Sequence, residues 1–247
     1  MTRPTQLNRG LVGAWCPSLG NTGLVEYDRS VRKNRGALTS MTAASARVKS
    51  GGKGALEFPG TNGSWVQLGS MGSVTAPFAI SVWVRFQTTA ASYGTIFAGR
   101  ATYADAFSIR QNGGSVIFGD LNGTFLDVSL AASITGLWTH ICAVANTTSS
   151  ATMFINGNQA GSATGLSTLG GTWSAPRIGE LQPSFNRPFN GGLDDLRIYN
   201  RAPTAPEIRQ LYVGGRGFGL LPERPRRRGT AAAAAFNRRR RVLLTAG

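Results

Sequence analysis

Apolar and polar residues alternate with a period of two through the middle of the chain. In "PFAISVWVRF", Phe78, Ile80, Val82, Val84 and Phe86 fall on one face of an extended segment, the pattern of a strand buried on that side. Trp83 falls on the other face, so that side is expected to be partly covered too. "FSIRQNGGSVIFGDLNGTFLDVSL" predicts three strands, broken at Asn112-Gly113-Gly114 and at Asn122-Gly123, where residues tolerant of positive φ suit tight hairpins. "LWTHICAV" and "ATMFINGNQAG" predict two more, the second folding back at Asn156-Gly157. A meander of this kind buries its apolar face most economically against another sheet.

The pattern changes after "LDDLRIY". Leu196 and Ile198 share a strand face, and "NRA" then leaves the sheet. Thr204 and Glu207 form a T-x-x-E capping box, in which each side chain satisfies a free amide at the other's position. Ile208, Leu211 and Tyr212 recur at helical spacing, and Gly214-Gly215 ends the turn. The sequence thus predicts an N-terminal arm over residues 1–8, one globular domain over 9–215, and a tail over 216–247.

Composition sharpens this division. With 247 residues the chain can bury a substantial core, and its 33 glycines suit many short strands and turns. No apolar run approaches the roughly 20 residues of a membrane span. "MTRPTQLNRGLVGAW" lacks the apolar stretch of a secretory signal, so either such a signal lies upstream or the protein is not exported by that route. The net charge is +15; residues 214–247 carry nine arginines against Glu223, more than half of the excess. Cys16 and Cys142 are too few for a disulfide framework: either one bridge joins them or both are buried thiols. One histidine and no CxxC argue against zinc.

Several segments resemble, in order, a laminin G-like, concanavalin A-like jelly roll. They are "GLVGAW", "YDRSVRKNRGALTSM", "GALEFPGTNGSWVQLG", "FAISVWVRF", "WTHICAV", "MFINGNQAGSATGL" and "PFNGGLDDLRIYNRAPTAPEI". The resemblance spans about residues 9–213 and rests on the set, since no single motif is specific. It implies an all-β, two-sheet antiparallel jelly-roll sandwich whose first and last strands meet, here closed by a short C-terminal helix and followed by a basic extended tail. It also implies an adhesion, lectin-like or accessory role without catalysis. Cys16, Cys142 and Pro203 depart from the family pattern; Pro203 precedes the capped turn and removes no helical hydrogen bond.

The same resemblance implies candidate sites. Related jelly rolls often hold Ca²⁺ at the rim, and Asp28 with Asp194 or Asp195 stand at the matching positions, with carbonyls of "RKNRG" to complete 6–8 oxygens. Arg29, Arg32, Lys33 and Arg35 crowd that loop, and an Asp28–arginine salt bridge is the competing reading; no other cofactor is expected. Adjacent strand residues project to opposite faces, so Asp194 and Asp195 are not expected to flank one glycosidic bond. His140 reads as a packing residue. Trp65, Tyr93, Tyr103 and Trp173 lie in or near loops and are the aromatic candidates for a glycan site.

The tail "PERPRRRGTAAAAAFNRRRRVLLTAG" cannot form a core of its own. Arg224, Arg226, Arg227, Arg228, Arg238, Arg239, Arg240 and Arg241 could stay solvated, grip nucleic-acid phosphates, or dock on a protein neighbour. Docking is the favoured reading, with nucleic acid behind it. A lectin-like sandwich with a basic tether predicts a structural or decoration protein on a virion surface, such as a phage capsid or tail. It would assemble in the host cytoplasm, contact virion neighbours and identical copies, and display a glycan-adhesion domain outward. The alternative is an extracellular carbohydrate-binding module.

Overall fold

The computed structural model describes residues 6–19, 23–50, 53–87, 93–99, 107–120, 123–130, 134–181 and 187–215. Two antiparallel sheets dominate it. The first runs β15 (Asn158–Thr164), β14 (Ser150–Ile155), β13 (Trp138–Thr147), β8 (Phe78–Phe86), β18 (Asn190–Tyr199), β5 (Lys53–Pro59) and β4 (Arg47–Ser50), with β1 (Leu11–Trp15) also paired to β18. The second runs β12 (Phe125–Ser129), β11 (Ser115–Asp120), β10 (Phe107–Asn112), β9 (Gly94–Ala98), β17 (Arg177–Ile178), β6 (Trp65–Leu68), β3 (Gly36–Thr39) and β2 (Val25–Glu26). A short ribbon pairs β7 (Gly72–Thr75) with β16 (Gly170–Trp173). The expected pairing of the first and last strands is present, Trp15 lying opposite Leu196.

The alternation read from the sequence sets the layers. Phe78, Ile80, Val82, Val84 and Phe86 all enter the core between the sheets. There Phe78, Phe107, Phe118 and Trp173 pack edge-on or stacked with centroids 5.1–6.3 Å apart. At the hairpin between β14 and β15, Asn156 and Gly157 both have positive φ, 51° and 79°, as a tight turn between twisted strands requires.

The outward face of β8 is covered, as Trp83 suggested. After the one-turn helix α1 (Ala43–Ala46), the second helix, α2 (Ala205–Gly215), lays Ile208 and Leu211 on it, in a cluster with Leu7, Cys142, Phe154 and Tyr199. Tyr212 stacks on Trp83 with centroids 5.7 Å apart. The predicted capping box starts the helix: Glu207 Oε2 accepts from the Thr204 amide at 2.8 Å, and the Glu207 amide donates to Thr204 Oγ1 at 3.5 Å. The helix runs through Gly214 and Gly215 rather than stopping before them. Leu7 is buried, so the packed domain begins inside the stretch expected to be an arm. Residues 216–247, and with them the tail arginines from Arg224 to Arg241, lie outside the described residues. Among the described residues no helix is long and apolar enough to cross a membrane.

Candidate functional site

The outer face of the second sheet collects the polar and aromatic side chains that the core does not use. On β6, Val66 and Leu68 enter the core, so Trp65 and Gln67 face outward. Across the sheet, Gln67 lies opposite Arg177, Arg177 opposite Ala98, Ala98 opposite Ser108, and Ser108 opposite Gly119. A parallel row sets Thr95 opposite Arg110, then Ile117 and Asp127. With strands about 4.8 Å apart, Ser108 and Arg177 are separated by about 10 Å, the span of a short oligosaccharide.

Arginines lie over aromatic rings along this face. Arg177 stands 4.7 Å from the Trp65 centroid, Arg187 4.5 Å from Tyr93, and Arg110 5.5 Å from Phe125. Arg177 also donates through Nε to Gln67 at 3.1 Å. Each pair offers ring surface for apolar contact beside a fork of guanidinium donors. Trp65 Nε1, Thr95 Oγ1 and Arg110 Nε are buried here and find no hydrogen-bond partner among the described residues. Burying a polar atom without a partner is costly, so each of these atoms favours an added acceptor or donor.

Arg110 is the most exposed to this cost. It is 2% accessible and, among the described residues, donates to Ser108 Oγ at 3.3 Å and the Asp120 carbonyl at 3.2 Å. Burial, and next the charge of Arg187, bring its pKa down to about 10. Burial also lowers the pKa of Arg177, opposed by the charge of Glu180. Glu180, fully buried, accepts from the Gly63 amide at 2.9 Å, and burial raises its pKa.

The profile of the concanavalin A-like lectin/glucanases superfamily matches residues 59–209. The chain belongs to that superfamily. No curated protein matches it. Among solved structures, this superfamily member is similar to domain 4 of AbnA, a GH43 extracellular arabinanase from Geobacillus stearothermophilus, solved with arabinotriose (TM-score 0.63, 18% identity, 82% of this chain and 98% of that one). It is also similar to the binding domain of Paraclostridial Mosquitocidal Protein 1 (TM-score 0.64, 19% identity, 84% and 52%). A third likeness is to the botulinum neurotoxin serotype D binding domain (TM-score 0.65, 12% identity, 87% and 53%), so the chain spans about half of each toxin domain. At these identities the likeness is one of fold.

Of the aromatic candidates, Trp65 and Tyr93 lie on the face just described, Tyr93 being 36% exposed. Trp173 does not: it is fully buried, stacked on Phe107 with centroids 5.6 Å apart, and corrects the expectation of an exposed ring. Gly99 admits it, since a Cβ there would meet the indole at 2.5 Å. Tyr103 lies outside the described residues. Sequence reasoning missed Arg110, Arg177 and Arg187; the available signal was an arginine in the outward slot of an otherwise apolar strand, as in "FSIRQ".

The expected rim carboxylates are otherwise engaged. Asp28 Oδ1 accepts from the Ala14 and Ser30 amides at 2.9 and 2.7 Å; Oδ2 accepts from Ser30 Oγ and the Asn34 amide, both at 2.8 Å. A carboxylate has about four lone-pair sites, and these donors use them. Asp195 is held by Arg197 at 2.7 and 3.0 Å, and its Oδ1 accepts from the Cys16 thiol at 3.0 Å. This donor set does not fit a hard cation seeking 6–8 free oxygens.

Asp194 and Asp195 also break the expected alternation. A β-bulge sets the stretch from Asp194 to Arg197 against Trp83 and Ser81, with Asp195 at φ 48°. Both carboxylates consequently reach the same turn, Asp194 accepting from the Ser18 amide at 3.2 Å and Asp195 from Cys16. Burial, then the charge of Asp195, raise the Asp194 pKa to about 6. His140 is buried, its Nε2 2.9 Å from Ser81 Oγ. Cys16 and Cys142 are free and buried, and burial pushes Cys142 up to about 12.

Proposed function

We propose that this chain is a non-catalytic saccharide-binding module whose ligand lies along the outer face of the second sheet. The observation that carries this reading is the gathering there of Trp65 with Arg177 and Tyr93 with Arg187, beside Thr95 Oγ1 and Arg110 Nε, which find no partner among the described residues. Sugars present apolar CH faces and many hydroxyls, and this surface supplies rings and donors in alternation. The adjacent carboxylates Asp194 and Asp195 are buried and committed to Ser18, Cys16 and Arg197, which favours binding over hydrolysis. AbnA domain 4 was solved with arabinotriose, so arabinotriose is the first neutral probe. A glycan array with the full chain, with and without chelator, is expected to give saturable binding in both conditions. A blank array defeats the reading.

The finer part of the proposal is display on a particle. The charge of residues 214–247 favours it: nine arginines against one glutamate suit an anchor to an acidic neighbour better than a saccharide site. In this reading the sandwich faces outward from a virion and the tail holds capsid, tail or sister copies. Deleting residues 216–247 should leave a folded domain that no longer joins the particle; retained incorporation counts against it.

A further inference from the structure

The loop between β2 and β3 carries Arg29, Arg32, Lys33 and Arg35 within seven residues. Its backbone is tied down on both sides. The Asp28 carboxylate gathers the amides of Ser30 and Asn34 from within. From outside, Trp15 Nε1 donates to the Asn34 carbonyl at 2.9 Å, and Asn34 Nδ2 donates to the carbonyls of Gly69 and Ser70 at 3.0 and 3.2 Å. The Gly69 amide returns a bond to the Arg35 carbonyl at 3.3 Å. Cations on so fixed a loop lose little backbone freedom on meeting a ligand.

Among the described residues, the charges of Arg32, Lys33 and Arg35 are not cancelled locally. The two acids of the stretch, Glu26 and Asp28, are buried at 0% and 4%, whereas Arg32, Lys33 and Arg35 are exposed. Among the described residues no carboxylate pairs with these three. Together with Asn34, Ser70 and Met71 they border an open, surface-facing cavity of about 640 Å³. A second cavity of about 260 Å³ adjoins it, sharing Arg32 and Met71 and offering Ser73, Thr75 and Asn200. Tyr27, 44% exposed, lies under the Arg35 guanidinium at 5.5 Å.

We propose that this rim cavity binds the anionic group of a saccharide, a carboxylate or a sulfate. The cations hold the oxyanion through charge-assisted hydrogen bonds, and the hydroxyls and amide of the adjoining cavity hold the next sugar unit. A compact cluster with neighbouring hydroxyls suits a sugar acid better than a nucleic-acid strand, whose phosphates need cations spread along a track. The saccharide half of this assignment rests on the function proposed above, while the anion half stands on the cavity. The position at which the family resemblance implies a cation is, in this chain, built for the opposite charge.

The test is calorimetric titration of the full chain with a tri-uronic acid, a sulfated trisaccharide and arabinotriose. The wild type is compared with Arg32→Gln/Lys33→Gln and with Arg35→Gln; all three proteins carry the same basic tail, so differences report the cavity. The double variant is expected to bind one or both anionic sugars about tenfold or more weakly. Its melting temperature and its affinity for arabinotriose should be unchanged, and Arg35→Gln should show the same selectivity to a smaller degree. Equal anionic-sugar affinity in all three proteins overturns the proposal, since binding would then come from the tail. So does a wild type that binds neither anionic sugar. So does an Arg32 dependence that appears only with phosphatidylserine vesicles or single-stranded DNA. If every neutral glycan fails while the anionic sugars bind through Arg32, the sheet-face reading falls and the cavity assignment stands.

Discussion

Arg177 lies 4.7 Å above the centre of the Trp65 ring while its Nε bonds Gln67 at 3.1 Å, so one side chain fixes both an aromatic plane and a donor fork. A surface assembled in advance loses little entropy when it meets a ligand. Trp65→Ala removes the ring together with the support under the guanidinium. The expected result is a loss of about 1–2 kcal/mol in saccharide binding, roughly tenfold in Kd, with the fold retained. Arg177→Lys keeps the charge but loses the planar stacking, and should fall between the two. Titration with whichever neutral glycan the array identifies measures this; unchanged affinity in Trp65→Ala moves the site elsewhere.

Asp28 organises the rim by accepting four hydrogen bonds, three of them from backbone amides. Asp28→Asn replaces one acceptor oxygen by a donor that must face two of those donors. The expected cost is about 2–4 kcal/mol of folding stability, read by denaturant unfolding. Because those lone pairs are occupied, millimolar calcium or a chelator should leave the melting temperature of the wild type unchanged. A calcium-dependent rise would show that the loop opens to coordinate the ion.

The capping box gives a smaller, local expectation. Glu207 is held by the Thr204 amide and, at 2.8 Å on each oxygen, by Arg201. Thr204→Ala removes one side of the box and should cost about 1 kcal/mol. For a domain of this size that is a fall of about 2–4 °C in Tm. Since α2 covers Trp83 and His140, hydrogen exchange under the helix should quicken as well.

The elements legible in the sequence were those specified by short-range pattern. The alternation of Phe78 to Phe86, the Asn156-Gly157 turn and the Thr204–Glu207 box each need only neighbours within a few residues. Trp173 was illegible because its surroundings, "GGTWSAP", read as a loop; the ring is claimed by Phe78, Phe97 and Phe107, all more than sixty residues earlier. The bulge at Asp195 was hidden for a related reason. It inserts an extra residue without altering the apolar spacing of Leu193 and of Leu196 with Ile198 enough to announce itself, and only the register against Trp83 and Ser81 exposes it. The arginine–aromatic face was likewise a product of register, which sets Arg110, Arg177 and Trp65 on three different strands.

That bulge has a consequence for pH. Asp194 is 4% exposed, and burial with the neighbouring Asp195 charge raises its pKa from 3.8 to about 6. A carboxyl that binds its proton more readily when folded stabilises the fold below pH 3.8, and this contribution is lost as the pH rises through 6. The difference amounts to about 3 kcal/mol at pH 7. Asp195 works in the other direction. Arg197 and the hydrogen bonds from Arg197 and Cys16 overcome its burial and lower its pKa, so its contribution is present above pH 3.8 and lost as the pH falls further. Stability should therefore rise as the pH falls from 7 towards 4 and decline below that. Glu180, raised by burial, adds to the same upward slope, so the wild-type profile alone does not isolate Asp194. Asp194→Asn does, because an amide oxygen still accepts from the Ser18 amide but carries no titrating proton. Scanning calorimetry from pH 3 to 8 should show a flatter slope between pH 4 and 6 in that variant, with a higher Tm than the wild type at pH 7. An identical slope in both proteins would mean that the two carboxylates reorganise to reach water, and that the bulge does not confine them.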